Sequence, residues 1–339
     1  MSQKLAFIQT VIEANHPFAQ ICKDFGISRQ AGYKTLKRYQ QEGENGLLPV
    51  SRAPRSTPNK TSPQIEEKIF SLRAKYPTWG ARTIHAFLAE QKYNVPCVST
   101  ISAILKRNGY IKLEESRKRK AFIRFEREHA NDLWQMDFKG KFLLETREWC
   151  FPLTIIDDYS RFSLCLKSCA NERSDTVFKR LYSVFNEYGL PNQINVDNGN
   201  PWGHSSGVRY TPLTIWLMRL GVKVSHSRPW HPQTNGKIER FHRTLKNDLI
   251  LQNKIQNYKH AQELFNEWRG IYNHVRPHQA IGMLTPDKRY KVSSRSMPDH
   301  LPPIEYDDNA IVKKVRGNGG ICYKDKEFLV GKAFRVVFK

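Results

Sequence analysis

Three acidic side chains constrain the fold of this chain more than any other feature. Asp137 lies in an apolar run of strand character, Asp197 follows another apolar run just before an Asn-Gly pair, and Glu239 lies in a segment with helical spacing. Carboxylates from separate elements can hold two divalent cations only where those elements converge. We therefore expect an α/β unit in which two strands and one helix bring the three acids together.

Length and charge set the outer bounds. A chain of 339 residues predicts two or three domains, each long enough to bury its own core. The 55 Lys and Arg residues outnumber the 32 Asp and Glu residues and give a formal charge of +23, which favours a polyanionic partner such as nucleic acid. Charge alone is not specific, because ribosomal and membrane-surface proteins share it.

The cysteine pattern indicates a reducing setting. None of the six cysteines belongs to a Cys-x-x-Cys pair, so we expect buried free thiols rather than zinc ligands. The amino terminus has no signal-peptide pattern, and no stretch reaches the roughly 18 apolar residues of a membrane span. We expect a soluble intracellular protein without a membrane partner. The cysteines are Cys22, Cys97, Cys150, Cys165, Cys169 and Cys322.

Residues 1–44 have the pattern of a helix-turn-helix domain, with helices predicted at 4–14, 18–25 and 28–41. Gly26 permits a sharp turn and Ser28 can cap the third helix. The amino-terminal half of that helix would reach base edges in the major groove. The predicted DNA contacts there are Arg29, Gln30, Tyr33 and Lys34. A plain three-helix bundle that binds protein is the alternative.

Further basic and helical segments precede the acids. Residues 45–63 are predicted to be a basic linker, 64–112 a second helix-turn-helix module of winged type, and 113–127 a second basic linker. The basic run of the second linker is predicted to contact phosphates without reading sequence, or else to be a solvated tether. Its residues are Arg117, Lys118, Arg119 and Lys120.

Residues 128–290 are predicted to form the α/β core. The order is three strands, helix, strand, helix, strand, helix, which predicts a mixed five-stranded sheet flanked by helices. The predicted strands are 133–139, 150–156, 162–166, 194–196 and 222–224, and the predicted helices are 174–188, 213–220 and 236–250.

Several motifs follow one another in this core: WQMDF, IIDDYSRFSL, VDNGNPW, HPQTNGKIERFHRTLK and YNHVRPHQAIGMLTP. With them, residues 125–290 resemble the catalytic core of insertion-sequence transposases in the retroviral-integrase superfamily, the DDE recombinases with a ribonuclease-H-like fold. The resemblance implies that Asp137, Asp197 and Glu239 are catalytic and bind two Mg²⁺ ions, for which Mn²⁺ can substitute. It also implies a bacterial, cytoplasmic and nucleoid-associated protein.

The separation of the second and third acids differs from the usual separation in this family. Asp137 and Asp197 are 60 residues apart, and Asp197 and Glu239 are 42 apart, which is longer than is usual in the family. The excess is assigned to a loop within 200–211. The neighbouring Asp157 and Asp158 are the rival acids, and we expect Asx-turn and structural contacts for them.

The segment around Glu239 supplies further candidate contacts. His231 and Gln233 are predicted to position DNA or to orient metal-bound water, and Asn235 is predicted to cap the helix or contact DNA, with a purely structural cap as the alternative.

The helix itself carries predicted contacts to DNA phosphates. These are Lys237, Arg243 and Lys246, and Lys246 could instead pair with a helix neighbour. For His242, His274 and His278 we expect packing or phosphate contacts, because Mg²⁺ prefers oxygen ligands.

The carboxyl-terminal part is predicted to hold a linker at 291–308 and a small β-barrel at 309–339. From residue 311 onward it has eight Lys or Arg and two acids, so it resembles the SH3-like DNA-binding tail of integrases. A dimerisation barrel is the alternative.

The resemblance predicts a transposase that binds the terminal inverted repeats of an insertion sequence. It would cleave 3′ ends and join them to target DNA, with Mg²⁺, as a homo-oligomer assembled on double-stranded DNA. Two alternatives stay open: a transposon-derived DNA-binding regulator with a silent core, and a ribonuclease-H-like nuclease without joining activity.

Overall fold

The computed structural model describes residues 2–13, 16–49, 60–111, 126–197, 199, 201–202, 210–226, 235–303 and 305–335. The chain divides into two compact units, Met1–Lys60 and Thr61–Lys339.

The first unit is a bundle of three helices, as predicted: α1 (Ser2–Glu13), α2 (Phe18–Asp24) and α3 (Arg29–Glu42). The hydroxyl of Ser28 accepts a hydrogen bond from the backbone N–H of Ala31 (3.2 Å) and so caps α3. A Cβ atom on Gly32 would lie 2.6 Å from the sulfur of Cys22, so only glycine lets α3 cross α2 this closely.

The second unit begins with the helices α4 (Pro63–Lys75), α5 (Ala81–Glu90) and α6 (Val98–Arg107). They enclose a small apolar core in which Trp79 is 1% exposed, and Ile271 and Val275 from the following domain pack against the same core. The predicted helices are therefore present, and they dock onto the α/β core.

The α/β core has a six-stranded mixed sheet in which β3 and β1 are central. Strands β2 and β4 pair with β3, and the order then continues through β1 and β5 to β6. The β1–β5 and β5–β6 pairs are parallel, and the other pairs are antiparallel. The strands are β1 (Trp134–Phe138), β2 (Phe142–Leu143), β3 (Trp149–Asp157), β4 (Ser163–Cys169), β5 (Gln193–Val196) and β6 (Lys223–His226).

The predicted number of strands was one too low. Strand β2 has only two residues, too few for an alternating apolar pattern, and it pairs with Trp149 and Cys150 at the start of β3. The five longer strands correspond to the five predicted ones.

Helices cover both faces of the sheet. Consecutive side chains of a strand point to opposite faces, and Ile155 and Ile156 of β3 join different apolar clusters. The cluster on one side contains side chains of α7 and α8, and the cluster on the other contains side chains of α9 and α10. These helices are α7 (Ser174–Tyr188), α8 (Pro212–Arg219), α9 (Gly236–Leu245) and α10 (Tyr258–His274).

Helix α10 was missing from the sequence-based prediction. Its buried side chains, Phe265, Trp268 and Tyr272, have helical spacing and hold α9 against the sheet. Between the two helices the chain forms a π-helical turn, Lys246–Ile250. Within that turn, Asp248 accepts hydrogen bonds from Thr78 of the α4–α5 connection and from Arg276 after α10.

The carboxyl-terminal segment does not confirm the predicted barrel. Its described residues form one antiparallel hairpin, β7 (Gly320–Tyr323) and β8 (Lys326–Leu329), and two strands cannot close a barrel. Part of the predicted linker, residues 291–308, packs against the α/β core. The guanidinium of Arg295 donates to the carbonyl oxygens of Pro191 and Leu220, at 2.8 and 2.9 Å.

Four of the cysteines are buried as expected, but Cys97 is exposed, which corrects that prediction. The hydroxyls of Ser99 and Thr100 lie 3.1 and 3.2 Å from its sulfur and lower the pKa of Cys97 to about 7. Burial raises the pKa of Cys150 to about 12. In the part of the chain that the structure describes, no helix is long and apolar enough to cross a bilayer.

We therefore expect Cys97 to be alkylated before Cys150 when the native chain is treated with iodoacetamide at neutral pH, because the thiolate is the reacting species. Peptide mass spectrometry over a time course measures both rates. A Cys97→Ser variant should lose the fast phase. Equal rates for Cys97 and Cys150 would contradict this account of Cys97.

Candidate active site

Asp137 lies near the end of β1 and faces one side of the sheet. Trp134 and Met136 point into the apolar core, so Asp137 points to the opposite face together with Gln135. The hydroxyl of Thr154, its partner on β3, donates to the backbone carbonyl of Asp137 at 2.8 Å. The side chain of Asp137 is 25% exposed. The sheet thus holds this carboxylate in a half-buried position.

Asp197 follows the last residue of β5, the parallel neighbour of β1. The register pairs Trp134 with Ile194 and Gln135 with Asn195, and the same offset places Asp197 beside Asp137. A ring nitrogen of His226 lies 2.9 Å from the backbone carbonyl oxygen of Asp197. Oδ1 of Asp197 accepts a hydrogen bond from the backbone N–H of Gly199 at 2.9 Å. These contacts fix the loop that carries the second acid.

Glu239 lies in the first turn of α9. The helix buries Ile238, Phe241 and Leu245 against the sheet, and Glu239 is exposed on a different face. This is the division of faces that the helical spacing predicted.

The acids are close enough to affect one another. Burial raises the pKa of Asp137 to about 7, with the charges of Asp197, Glu172 and Glu239 adding to the effect. Burial and the charge of Asp197 also raise the pKa of Glu172. The structure therefore brings the three predicted acids into one electrostatic cluster and adds a fourth.

Glu172 was missed by sequence reasoning. It lies in the irregular connection between β4 and α7, next to Arg173, and belongs to none of the motifs. Its relation to Asp197 depends on the packing of two connections that are distant in sequence, so no local pattern could reveal it.

His242 packs beside Asp137, on the helix that carries Glu239. Its Nε2 lies 2.7 Å from the hydroxyl of Thr154, and its Nδ1 lies 4.0 Å from a carboxylate oxygen of Asp137. Burial and the charge of Lys139 lower the pKa of His242 to about 3, so the ring is neutral at physiological pH. It makes the packing contact expected of it.

Two lysines lie beside the acids. Burial and the charge of Lys246 lower the pKa of Lys139, so the two ammonium groups are close enough to repel each other. Arg243 of α9 and Lys246, the first residue of the π-helical turn, are exposed. Positive charge next to carboxylates can balance the charge of a bound phosphate backbone.

Two residues predicted to contact DNA have other partners in the structure. The ammonium of Lys237 pairs with the buried carboxylate of Asp158. The side chain of Asn235 does not cap α9, and instead its amide oxygen accepts a hydrogen bond from Asn195 at 2.7 Å. These contacts hold the start of α9, through Asn235 to β5 and through Lys237 to the turn between β3 and β4.

Asp157 has the predicted structural role. Its Oδ2 accepts from the backbone N–H and the hydroxyl of Ser160, at 2.8 and 2.6 Å, and its Oδ1 accepts from the backbone N–H of Asn131 at 2.8 Å. The bonds to Ser160 close the turn between β3 and β4, and the bond to Asn131 ties that turn to the segment before β1.

The other predicted contacts divide into two groups. On α3, all four side chains are exposed, and the ring of Tyr33 stacks on Phe18 with centroids 4.2 Å apart. The remaining residues lie outside the described part of the chain. The α3 set is Arg29, Gln30, Tyr33 and Lys34, and the undescribed set is Arg117, Lys118, Arg119, Lys120, His231 and Gln233.

The donor set at the site fits a hard divalent cation. The acids supply carboxylate oxygens, which Mg²⁺ and Mn²⁺ prefer, and their mutual repulsion is relieved when a cation binds between them. Within the described ranges, no three His, Cys, Asp or Glu side chains are spaced to enclose a single ion.

Family models match most of the chain. A helix-turn-helix domain matches residues 3–55, a homeodomain-like domain matches 31–105, and two models of an integrase core domain match 127–232 and 220–286. The two core matches contain all three acids.

Relatives of the chain come from mobile elements. The chain is 24% identical over 236 residues to a protein of insertion element IS476 from Xanthomonas euvesicatoria, an alignment that covers 68% of this chain and 65% of that protein. It is 25% identical over 284 residues to the transposase for transposon Tn552 from Staphylococcus aureus, covering 74% and 56%. The chain thus spans roughly two thirds or less of these relatives' lengths.

Solved structures with a similar fold include retroviral integrases. The catalytic core domain of HTLV-2 integrase in complex with magnesium has a TM-score of 0.38 at 16% identity, covering 48% of this chain and 98% of that one. A chain of the simian T-cell lymphotropic virus intasome has a TM-score of 0.42 at 16% identity, covering 73% and 80%. Both TM-scores are low, so neither likeness supports a functional conclusion.

The sheet order, the flanking helices and the acidic cluster define a ribonuclease-H-like integrase core behind helix-turn-helix domains. Enzymes of this class are polynucleotidyl transferases that depend on divalent metal. The matched domains and the relatives from insertion elements support a DDE transposase of the integrase superfamily.

We expect Asp137→Asn to raise the melting temperature in EDTA, because the amide removes a buried charge that three other acids repel. Each kcal/mol relieved raises the melting temperature by about 2–4 °C. The pKa of Asp137 is higher in the folded protein than in the unfolded chain. Ionisation of Asp137 therefore lowers the stability of the native chain as the pH rises from the unfolded pKa to the folded pKa. The difference between the variant and the native chain should therefore be small in acid and reach its full size above pH of about 7.

Differential scanning fluorimetry across this pH range measures both proteins. Adding Mg²⁺ should stabilise the native chain more than the variant, because cation binding needs the carboxylate. A variant that melts below the native chain in EDTA at alkaline pH would contradict the repulsion.

Proposed function

We propose that this chain binds the terminal inverted repeats of an insertion sequence, cleaves DNA 3′ ends in an Mg²⁺-dependent reaction, and joins them to target DNA. One observation carries the proposal: the ends of two parallel neighbouring strands and the first turn of α9 bring Asp137, Asp197 and Glu239 into mutual electrostatic range. Carboxylates that repel one another are retained at this position where function requires them.

Asp137, Asp197 and Glu239 would together hold two Mg²⁺ ions, for which Mn²⁺ can substitute. When bound, the cations would supply Lewis-acid stabilisation of the attacking and leaving oxygens at one phosphate. The protein contributes the fixed direction of the carboxylates. Thr154 holds the backbone of Asp137, and His226 contacts that of Asp197.

The side chains around the acids suit a nucleic-acid backbone. The neutral ring of His242 fills the space beside Asp137 without adding a charge that would compete with a cation. Lys139, Arg243 and Lys246 supply positive charge for phosphates at the rim of the acidic cluster.

Sequence recognition would lie in the helical domains. The exposed amino-terminal half of α3 offers Arg29, Gln30, Tyr33 and Lys34 to base edges, and the segment that holds Arg117 to Lys120 would follow phosphates. His231 and Gln233 are proposed to contact DNA just before α9. Because two element ends must be joined, the active form would be a homo-oligomer assembled on DNA. A cytoplasmic, nucleoid-associated location follows from this substrate.

We expect native protein to produce joined products from element-end DNA with Mg²⁺, and Asp197→Asn to abolish them, because the amide removes a ligand charge. Gel analysis of labelled DNA ends measures cleavage and joining separately. Asp299→Asn, an exposed change of the same chemistry, is the matched control and should keep both activities.

Two outcomes would overturn this proposal. Cleavage without joining by the native chain would indicate a nuclease. Specific DNA binding without either reaction, unchanged in Asp197→Asn, would indicate a regulator with a silent core.

We also expect DNA affinity to fall steeply with salt, because binding a basic protein releases counterions from DNA. Lys34→Ala should lower the slope of log affinity against log salt by about one. Fluorescence anisotropy over a salt series measures this slope. Lys23→Ala, an exposed change on α2 of the same unit, is the control and should leave it unchanged. A flat salt profile for the native chain would refute the electrostatic contribution.

A further inference from the structure

The first turn of α9 is attached to β1 by a buried glutamine. Gln135 is 2% exposed, and its side-chain oxygen accepts a hydrogen bond from the backbone N–H of Ile238 at 3.2 Å. Gln135 lies two residues before Asp137 on the same side of β1, and Ile238 directly precedes Glu239. One hydrogen bond therefore joins the neighbours of two acids that come from different elements.

Asp158 determines which way this amide points. The side-chain nitrogen of Gln135 donates to Oδ1 of Asp158 at 3.0 Å, and Asp158 is 1% exposed. An ionised carboxylate can only accept hydrogen bonds, so it must face the NH₂ group of the amide. The amide oxygen is then left for the N–H of Ile238.

Lys237 ties the same carboxylate to α9 directly. Its ammonium pairs with Oδ2 of Asp158, and its side chain is 16% exposed. The backbone N–H of Arg127 donates to the same oxygen at 2.9 Å. Removal of one partner from such a buried pair leaves an uncompensated charge. Two adjacent residues of α9, Lys237 and Ile238, are therefore both fixed to the sheet by polar contacts.

Beyond the first turn, α9 meets the sheet through apolar side chains and through the contact between His242 and Thr154. Ile238, Phe241 and Leu245 bury the helix, but apolar burial is non-directional and does not by itself specify the position of the first turn. Hydrogen bonds at the first turn have a narrow range of length and angle and therefore constrain the position of that turn directly. That position decides where Glu239 stands relative to Asp137.

We propose that Gln135, Asp158 and Lys237 are positioning residues, a clamp that sets the separation of Glu239 from Asp137. The proposal rests on the proposed function, since that separation matters because both acids hold the same cations. The effect of the three residues is exerted through the placement of the two carboxylates.

An exchange of groups within the clamp tests this directly. Gln135→Glu places an acceptor against the acceptor of Asp158. Asp158→Asn turns an NH₂ group either toward the NH₂ of Gln135 or toward the ammonium of Lys237 and the N–H of Arg127, so each single change breaks a contact of the clamp. The double variant Gln135→Glu/Asp158→Asn restores a donor opposite an acceptor in the reverse sense, with the net charge of the native chain. We expect each single variant to slow single-turnover end cleavage by roughly 10- to 100-fold, and the double variant to recover part of the rate, because Lys237 still lacks its carboxylate partner.

A second measurement does not depend on activity. The Mg²⁺ concentration that gives half of the cation-induced rise in melting temperature should increase in each single variant and return toward the native value in the double variant. DNA affinity, measured by anisotropy, should be unchanged in all of them. This pattern separates placement of the acids from a general loss of structure.

Gln262→Met is the matched control for Gln135→Met. Gln262 is also a glutamine that bridges a helix and a strand: it accepts from the backbone N–H of Ser168 at 3.0 Å and donates to the carbonyl of Leu166 at 3.1 Å. Both variants should lower the melting temperature in EDTA. Only Gln135→Met should slow cleavage and weaken the Mg²⁺ response.

Several results would overturn the clamp. The first is that both single variants melt at a lower temperature but keep the native cleavage rate and Mg²⁺ response. The second is that Gln262→Met loses as much cleavage rate and Mg²⁺ response as Gln135→Met. If native protein shows the Mg²⁺ response but no cleavage or joining, the proposed function fails, and the Mg²⁺ response of the variants still decides the clamp.

Discussion

Repulsion among carboxylates that a sheet holds close together is the constraint on which the rest of this structure depends. The parallel register of β1 and β5 places Asp197, just past the end of β5, beside Asp137 of β1, which is itself paired with Thr154 of β3. Burial, and after it the charges of the neighbouring acids, raises the pKa of Asp137 to about 7. Such a site needs a rigid surrounding fold. Hydrogen bonds at Thr154, at His226 and at the start of α9 act as polar anchors and provide this rigidity.

The arrangement of the core explains why the anchors are polar. Apolar clusters on both faces of the sheet stabilise the fold, but they do not specify the position of any one carboxylate to a fraction of an ångström. Hydrogen bonds and buried ion pairs are directional and costly to leave unmade. Their concentration between β1, the β3–β4 turn and α9 matches the place where position matters most.

Local sequence patterns predicted much of this architecture. The strand runs, the helix at 174–188 and the buried stripe of α9 follow from periodicity, and the three acids follow from their positions at strand ends and on a helix. What the sequence could not show depends on contacts between distant segments. Glu172 joins the acids from an irregular connection, Lys237 pairs with Asp158 across 79 residues, and the two-residue β2 has no pattern of its own. The barrel was inferred from resemblance and charge, and the described strands amount to one hairpin.

The shared carboxylate of Asp248 has a mechanical consequence. Thr78, in the connection between α4 and α5, and Arg276 both bind it, and it lies in the π-turn that directly continues the helix of Glu239. A displacement of the domain formed by α4, α5 and α6 would therefore be transmitted directly to the carboxyl-terminal end of α9. A force on α5 would thus act on the helix that carries Glu239.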